Sequence, residues 1–344
     1  MKIAFCLLAA LAAAAPLPAA EPSANGHRVV SSYPVGGEGG WDYLTLDAAT
    51  RRLFVSRGTH VMVLDADSGR VVGDIPGTEG VHGIALAPGL KKGFTSNGRA
   101  GTVTVFDLAS LAATATVKAT GENPDAILYE PVTKRVFTFN GRGKNATAID
   151  AATLAVAGTL ALGGKPEFAV SDAAGVVYVN IEDTAEIVAF DAATLAVRAR
   201  WPLAPCQEPT GLAYDPTSKR LFAGCSGNKL LAVVSAADGK MLGTVPIGEG
   251  CDATAFDPGS GLVYASNGDG TLTVVKEASP GTYSAVENVA TKRGARTMAL
   301  DQAKHRVYLP AAQYGPAPAP SAATPRPRPP LLPGSFEILV VGRP

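Results

Sequence analysis

A short pattern of residues recurs along the chain at an almost constant spacing. An aromatic residue stands at the centre of each of the runs RLFVS, KGFTS, RVFTF, VVYVN, RLFAG, LVYAS and RVYLP, and successive aromatic residues are 40 to 44 positions apart. These seven residues are Phe54, Phe94, Phe137, Tyr178, Phe222, Tyr264 and Tyr308. A period of this length is typical of repeat proteins, in which one supersecondary unit is stacked many times.

Each repeat contains four short strand-like runs separated by turn residues. In the first repeat the runs are DYLTLD, RRLFVS, HVMVLDAD and RVVGDIP. Four antiparallel strands in a unit of this length predict one blade of a β-propeller. Because a blade is apolar on both faces, blades must stack on one another. We therefore predict an all-β, seven-bladed β-propeller of four-stranded antiparallel blades.

The two ends of the chain complement each other in this pattern. The last repeat ends at FEILVVG without a fourth strand, whereas RVVSSYPV at residues 28–35 precedes the first complete repeat. This run is similar to RVVGDIPG at residues 70–77, the fourth strand of its own repeat. The amino-terminal strand is therefore predicted to complete the seventh blade and close the ring.

Three repeats also share an Asn-Gly pair three residues after the aromatic residue, at residues 97–98, 140–141 and 267–268. Asn-Gly is a strong signal for a tight hairpin turn, so these pairs are predicted to turn the chain from the second strand into the third. Together with FD or ID at the end of the third strand, these features resemble the exported YVTN-repeat propellers of the YncE-like family. The resemblance covers the whole mature chain. It implies an exported seven-bladed propeller with no firmly assigned reaction, and DNA binding has been attributed to one member.

The amino terminus carries the features of a secretory signal. The sequence MKIAFCLLAALAAAAPLPAAE has one Lys, a short apolar run and an Ala-rich end, which predicts a signal peptide over residues 1–20. The mature chain, residues 21–344, is predicted to be a single-domain periplasmic or secreted monomer without a membrane span. Lys+Arg and Asp+Glu each number 30, and this balance disfavours nucleic acid as a partner.

Polar residues recur at one position relative to the aromatic residues. They stand twelve residues before each one, or eleven in the fourth repeat, where the innermost strand of a blade should begin. Propeller geometry places these positions around the mouth of the central channel, which predicts a ligand-binding site there. Asp and Thr are also common turn formers, so each residue alone is better explained as part of a turn, and only the occurrence of the whole set together favours a site. The set is Asp42, His82, Asp125, Glu167, Thr210, Asp252 and Arg296.

The chemistry of this set leaves two functions open. The carboxylates of Asp42, Asp125, Glu167 and Asp252 are suitable ligands for Ca²⁺ or Mg²⁺. Arg296, the one cation expected among them, suits a small anionic molecule. The sequence has no motif for haem or nucleotide binding and no familiar hydrolase motif. The first hypothesis is a binding or scaffold protein for a small anionic molecule or a periplasmic protein, and the alternative is a metal-assisted lactone hydrolase or lyase.

Three further features complete the predictions. On the face opposite the channel mouth, basic residues precede the aromatic residues, and aspartates occupy the turns between the third and fourth strands. The charges of the two sets are predicted to neutralise each other. Cys206 and Cys225 should lie one strand apart and form a disulfide, leaving Cys251 free.

The Pro-rich insert at residues 315–333 falls in the last blade, on the channel face. It is interpreted either as a tolerated surface insertion or as a lid or a segment that binds a partner, with Arg326 and Arg328 near the acidic ring.

Overall fold

The computed structural model describes residues 26–319, 324, 327 and 329–344. The predicted signal peptide, as well as Arg326 and Arg328, therefore lie outside the described residues. The described residues form β-strands and one 3-10 turn, Pro88–Leu90. None of the helical structure in this part of the chain has the length and apolar character needed to span a membrane.

The strands follow one another in chain order with short connections. The first half of the chain contains β1 Arg28–Pro34, β2 Leu44–Asp47, β3 Arg52–Ser56, β4 Gly58–Asp65, β5 Val71–Ala87, β6 Lys92–Asn97, β7 Thr102–Asp107, β8 Ala113–Lys118, β9 Pro124–Glu130, β10 Arg135–Asn140, β11 Asn145–Asp150, β12 Val156–Ala161 and β13 Pro166–Ser171. The second half contains β14 Val176–Ile181, β15 Glu186–Asp191, β16 Val197–Pro202, β17 Pro209–Asp215, β18 Arg220–Cys225, β19 Leu230–Ser235, β20 Met241–Pro246, β21 Cys251–Asp257, β22 Leu262–Asn267, β23 Thr271–Ser279, β24 Thr282–Ala290, β25 Ala299–Asp301, β26 Arg306–Ala311 and β27 Glu337–Gly342.

These strands assemble into antiparallel sheets arranged as blades around a closed ring. Five sheets have four strands, and a seven-stranded sheet consists of two four-stranded units that share the long strand β5. The innermost strands are β2, the second half of β5, β9, β13, β17, β21 and β25. Each of them contacts the next, and β25 contacts β2. The structure thus confirms the predicted all-β propeller architecture.

The ring is closed by the amino-terminal strand, as predicted. Strand β1 pairs antiparallel with β27, with Val29 opposite Val341 and Tyr33 opposite Ile338. The sheet order β1-β27-β26-β25 makes β1 the outermost strand of the last blade. Joining the two ends of the chain in one blade leaves no open edge between the first and last repeats.

The repeated aromatic residues form the packing between blades. Six of the seven are fully buried, and Tyr178 is nearly so. The rings of Phe54 and Phe106, from consecutive blades, lie 5.8 Å apart, and those of Phe137 and Phe190 lie 5.4 Å apart. Each such side chain contributes roughly 1.5–3 kcal/mol by burial, so the sequence period reflects contacts between neighbouring blades.

The Asn-Gly pairs have a role in addition to the predicted one. Asn97 is the last residue of β6 and is fully buried. Its Nδ2 donates hydrogen bonds to Oγ1 of Thr102 at 3.2 Å and of Thr104 at 2.8 Å. The left-handed residue of this loop is Gly101, with φ +67°, and not Gly98. The Asn-Gly pair therefore ends the second strand and begins the loop to the third, as predicted, and the Asn side chain in addition braces the third strand from inside the blade.

On the face opposite the channel mouth, basic side chains form hydrogen bonds between neighbouring blades. Arg52, Lys92 and Arg135 donate to backbone carbonyls of Leu108, Ala152 and Ala192, at 2.6, 2.8 and 2.7 Å. Each of these carbonyls belongs to the turn between the third and fourth strands of the following blade. Arg51 instead forms ion pairs with Asp67 and Asp301, each at 2.6 Å. These basic groups therefore tie neighbouring blades together, in addition to pairing with carboxylates.

The fifth blade contains a disulfide bond between Cys206 and Cys225. Cys206 precedes the innermost strand β17, and Cys225 ends the neighbouring strand β18. Cys251 is a buried free thiol, and burial raises its pKa well above the usual value. This is the pairing that the sequence suggested.

Candidate functional site at the channel mouth

The predicted polar residues stand where the innermost strands begin. Asp42 precedes β2, His82 lies within β5, and Arg296 precedes β25. The other four lie near the starts of four further innermost strands, at Asp125, Glu167, Thr210 and Asp252. Since these strands surround one axis, their first residues converge on one end of the channel.

His82 lies between two carboxylates from neighbouring blades. Its Nδ1 is 2.6 Å from Oδ2 of Asp42 and 3.5 Å from Oδ1 of Asp125. Burial lowers the pKa of His82, but the hydrogen bond with Asp42 and the charge of Asp125 outweigh that effect and raise the pKa to about 9. The imidazole therefore carries a positive charge at neutral pH.

Gly98 leaves room for this imidazole. A Cβ atom at Gly98 would lie 2.7 Å from Nε2 of His82, closer than two such atoms can approach. The glycine of the Asn-Gly pair thus keeps the loop between β6 and β7 against the channel mouth. The close approach also shows that this loop shares a face with the start of the innermost strand.

Glu167 pairs with a cation that the sequence analysis missed. Nζ of Lys165 lies 2.7 Å from Oε1 of Glu167 and also forms an ion pair with Glu182. Burial and the negative charge of Asp125 raise the pKa of Glu167, while Lys165 opposes the shift. Arg296 is therefore not the single cation of the cluster, which corrects the prediction. The sequence could have indicated Lys165 by its position, because it directly precedes Pro166, the first residue of the innermost strand β13.

A further ion pair joins Asp252 to Arg296 of the neighbouring blade. Nη1 of Arg296 lies 3.0 Å from Oδ2 of Asp252, and about half of the Arg296 side chain remains exposed. Burial raises the pKa of Asp252 to about 6, although the guanidinium lowers it in part. Burial likewise raises the pKa of Asp125 to about 6, against the charge of His82.

Thr210 connects two neighbouring innermost strands. Its side chain is buried, and Oγ1 donates a hydrogen bond of 2.6 Å to the backbone carbonyl of Cys251 in the next blade. The hydroxyl therefore joins two innermost strands, and we do not include it in the proposed site.

The predicted set of four metal-binding carboxylates is not assembled as such. Among the described residues, the group able to offer ligand atoms within 4.8 Å of one another is Asp42, His82 and Asp125. Glu167 and Asp252 are instead engaged by Lys165 and Arg296. The ring therefore consists of separate ion-paired clusters around His82, Lys165 and Arg296.

A cavity of about 450 Å³ opens beside Arg296. Trp41 and Tyr314 provide aromatic walls, with ring centroids 6.5 Å apart, and Arg293 and Arg296 provide the charged wall. Its remaining lining residues are Gly40, Gly268, Gly294, Pro329 and Leu331. Among the described residues Arg293 has no ion-pair partner, so its guanidinium is available to a ligand.

The described part of the Pro-rich insert contributes directly to this cavity. Tyr314 and Leu331 form an isolated antiparallel bridge at the base of the insert, and both line the cavity together with Pro329. Sequence reasoning placed the insert on the channel face but identified neither Tyr314 nor Arg293 as site residues. Their positions could have indicated a place at the mouth, because Arg293 lies in the loop preceding β25 and Tyr314 shortly follows β26.

Below the ionisable ring the channel is lined by apolar side chains. The rings of Tyr43 and Phe168 lie 5.4 Å apart, and with Ile84, Ile127 and neighbouring residues they enclose a space of about 50 Å³. Burial raises the pKa of Tyr43 well above its usual value, and the carboxylates above it act in the same direction. This apolar layer directly adjoins the ionisable ring, because Tyr43 follows Asp42 and Phe168 follows Glu167 in the chain.

Comparisons with known proteins support the fold. No family model matches the chain, and no curated protein matches it in sequence. A chain of the solved structure described as "Crystal Structure of Mitotic Checkpoint Complex" aligns with a TM-score of 0.73 at 15% sequence identity, covering 90% of this chain and 95% of that chain. An identity this low shows a common β-propeller fold and does not transfer a function.

Proposed function

We propose that this chain is an exported propeller that binds a small anionic molecule at the channel mouth. The proposal follows the resemblance to the exported YVTN-repeat, YncE-like propellers. One observation carries it: a cavity of about 450 Å³ combines two aromatic walls with the guanidinium groups of Arg293 and Arg296. Cavities of 300–1,000 Å³ with few, convergent polar groups are typical of small-molecule sites.

The side chains that line the mouth cavity favour a flat, negatively charged ligand. Trp41 and Tyr314 offer flat surfaces to a planar body, and a guanidinium pairs well with a carboxylate or phosphate group. The ion pair with Asp252 restricts the Arg296 side chain before a ligand arrives, which lowers the entropy cost of binding. Export is supported by the amino-terminal sequence, and the disulfide between Cys206 and Cys225 suits an oxidising compartment.

A flat carboxylate tests this proposal. Binding of 2-naphthoate is measured by calorimetry, with its uncharged amide as the matched compound. We expect Arg293→Ala and Arg296→Ala each to weaken naphthoate binding by roughly tenfold or more, because each removes a charge-assisted contact. Both substitutions lie outside the blade cores, so the melting temperature should hold.

The control is Arg99→Ala, which removes an exposed guanidinium from the loop between β6 and β7 on the same face. It should leave naphthoate binding unchanged. Equal affinities for naphthoate and its amide, or full binding in both arginine variants, would contradict the proposed site. Binding of a periplasmic protein without binding of any small carboxylate would redirect the proposal to a protein partner.

A second candidate function is favoured by the grouping of Asp42, His82 and Asp125. Two carboxylates and an imidazole within reach of one point suit a divalent cation, which would displace the proton of the His82 imidazole on binding and would activate water for hydrolysis of a lactone. This function predicts about one divalent ion per purified chain, lost on chelation or in His82→Ala. Protein purified without chelator that contains no stoichiometric metal would exclude it.

A further inference from the structure

Arg57 departs from the repeat at an informative position. The run FVSRG of the first blade aligns with FTSNG of the second, so Arg57 replaces the buried, strand-bracing Asn97. Like that Asn, Arg57 is buried, with 1% of its surface exposed. A long cation therefore occupies the place of a short neutral amide.

The environment of this guanidinium contains carbonyl oxygens and no carboxylate among the described residues. Nη1 donates to the carbonyl of Gly36 at 3.1 Å, and Nη2 donates to those of Glu38 and Gly39 at 2.9 and 3.1 Å. The guanidinium carbon lies 3.7 Å from the ring centroid of Phe336. Nε has no acceptor, and burial alone lowers the pKa of Arg57 to about 10.

A second cavity, of about 420 Å³, lies against this buried cation. Its walls are mostly apolar and include Trp41, Phe336 and Leu332. Gly37 brings the cavity close to the charge, because a Cβ atom at this residue would lie 3.9 Å from Nη2 of Arg57. The remaining lining residues are Glu38, Gly39, Ala312, Leu331, Pro333 and Gly334.

We propose that this cavity is a second binding site, which takes a small carboxylate with an aliphatic body and balances its charge with Arg57. A buried cation without an opposite charge is costly, and carbonyl dipoles compensate it only in part. The apolar walls suit the body of the ligand, and the missing side chain of Gly37 leaves space for its charged end. Trp41 and Leu331 separate this cavity from the mouth cavity, since both contribute to the two walls. This site goes beyond the proposed function and is independent of it.

Calorimetry with hexanoate and uncharged hexanamide tests the second site on the full mature chain. We expect hexanoate to bind at least tenfold more tightly than hexanamide, because only the carboxylate interacts with the guanidinium charge. Arg57→Met should remove this preference, and Arg57→Lys should retain part of it, since Lys keeps the charge but loses the planar donors. Arg99→Ala, which removes an exposed guanidinium that lines neither cavity, should leave hexanoate binding unchanged.

Leu332→Phe provides a variant that leaves Arg57 intact. Leu332 is 42% exposed and lines the cavity, so a larger ring should reduce hexanoate binding without unfolding the chain. Equal affinity for hexanoate and hexanamide would overturn the proposal and leave Arg57 as an internal support of the loop at residues 36–40. If Arg57→Met does not fold, unchanged hexanoate binding in Leu332→Phe would overturn it. Loss of hexanoate binding in Arg296→Ala but not in Leu332→Phe would assign the ligand to the mouth cavity.

Discussion

At the scale of single residues, the channel mouth is a set of ionisable groups whose charges depend on one another. His82 gains its charge from Asp42 and Asp125, while burial raises the pKa values of Asp125 and Asp252 to about 6. All three groups hold a proton more tightly in the folded chain than in the unfolded one. The mouth therefore loses protons, and becomes more negative, as the pH rises from about 6 to about 9.

His82 should titrate near pH 9 in the folded protein. Replacing Asp42 with Asn should lower this pKa by about one unit or more, because it removes the closest negative charge. Proton NMR of the imidazole measures both values. Asp74→Asn, which removes the partner of His60 at 3.6 Å, is the control and should not affect His82. A wild-type pKa near 6.5 would contradict the ion-pair geometry.

The same shift predicts how stability depends on pH. The folded-state pKa of about 9 lies above the ordinary value of 6.5, so the contribution of His82 is fully present below pH 6.5. This contribution is lost as the pH rises through 9. The free energy of unfolding of the wild type should therefore fall more steeply between pH 6.5 and 9.5 than that of Asp42→Asn. Parallel pH profiles would count against this linkage.

At the scale of strands and loops, buried polar side chains decide where a blade turns. Asn97, Asn140 and Asn267 end the second strands of their blades, and each donates from Nδ2 to side chains of the third strand. Oδ1 of Asn97 accepts a hydrogen bond from Thr95 at 2.8 Å. The blade interior thus contains a hydrogen-bonded bridge beneath the channel-mouth loops.

Asn97→Ala should reduce the free energy of unfolding by about 1–3 kcal/mol. The substitution leaves the buried hydroxyls of Thr95 and Thr104 without their partner, and unsatisfied buried groups carry a penalty of this size. Chemical denaturation measures the loss. Arg99→Ala, at an exposed residue of the following loop, should change stability by no more than about 0.5 kcal/mol. If the two variants were equally stable, the bracing role of Asn97 would be refuted.

At the scale of the whole molecule, stability depends on closing the ring. Strand β1 comes from one end of the chain and β27 from the other, and they share one blade. Val30 and Tyr33 of β1 pack against a core cluster that also contains residues of the first blade. The first and last blades are therefore held together by both strand pairing and side-chain packing.

Removing residues 21–36 should lower the melting temperature sharply, because the deletion exposes the edge of β27 and uncovers apolar surface. A synthetic peptide of residues 26–36 should restore part of the loss by pairing with that edge, whereas a scrambled peptide should not. Differential scanning calorimetry measures both effects. An unchanged melting temperature in the truncated chain would argue against closure by β1.

The sequence by itself determined the repeat, the propeller class, the closing strand and the positions where the innermost strands begin. These follow from period and hydrophobic pattern, because every blade must bury both faces against similar neighbours. The pairing of Cys206 with Cys225 was also accessible, since both positions recur at fixed places in a blade.

The tertiary structure alone decided which charged groups meet. The positions of Lys165, Arg293 and Tyr314 place them near the mouth, but position does not show which carboxylate or cavity each side chain reaches. Arg57 occupies the position of Asn97 in the repeat, and only packing shows it buried beneath the loop at residues 36–40. The physical reason is that repeats fix local structure, whereas ion pairs and cavities arise between blades that are distant along the chain.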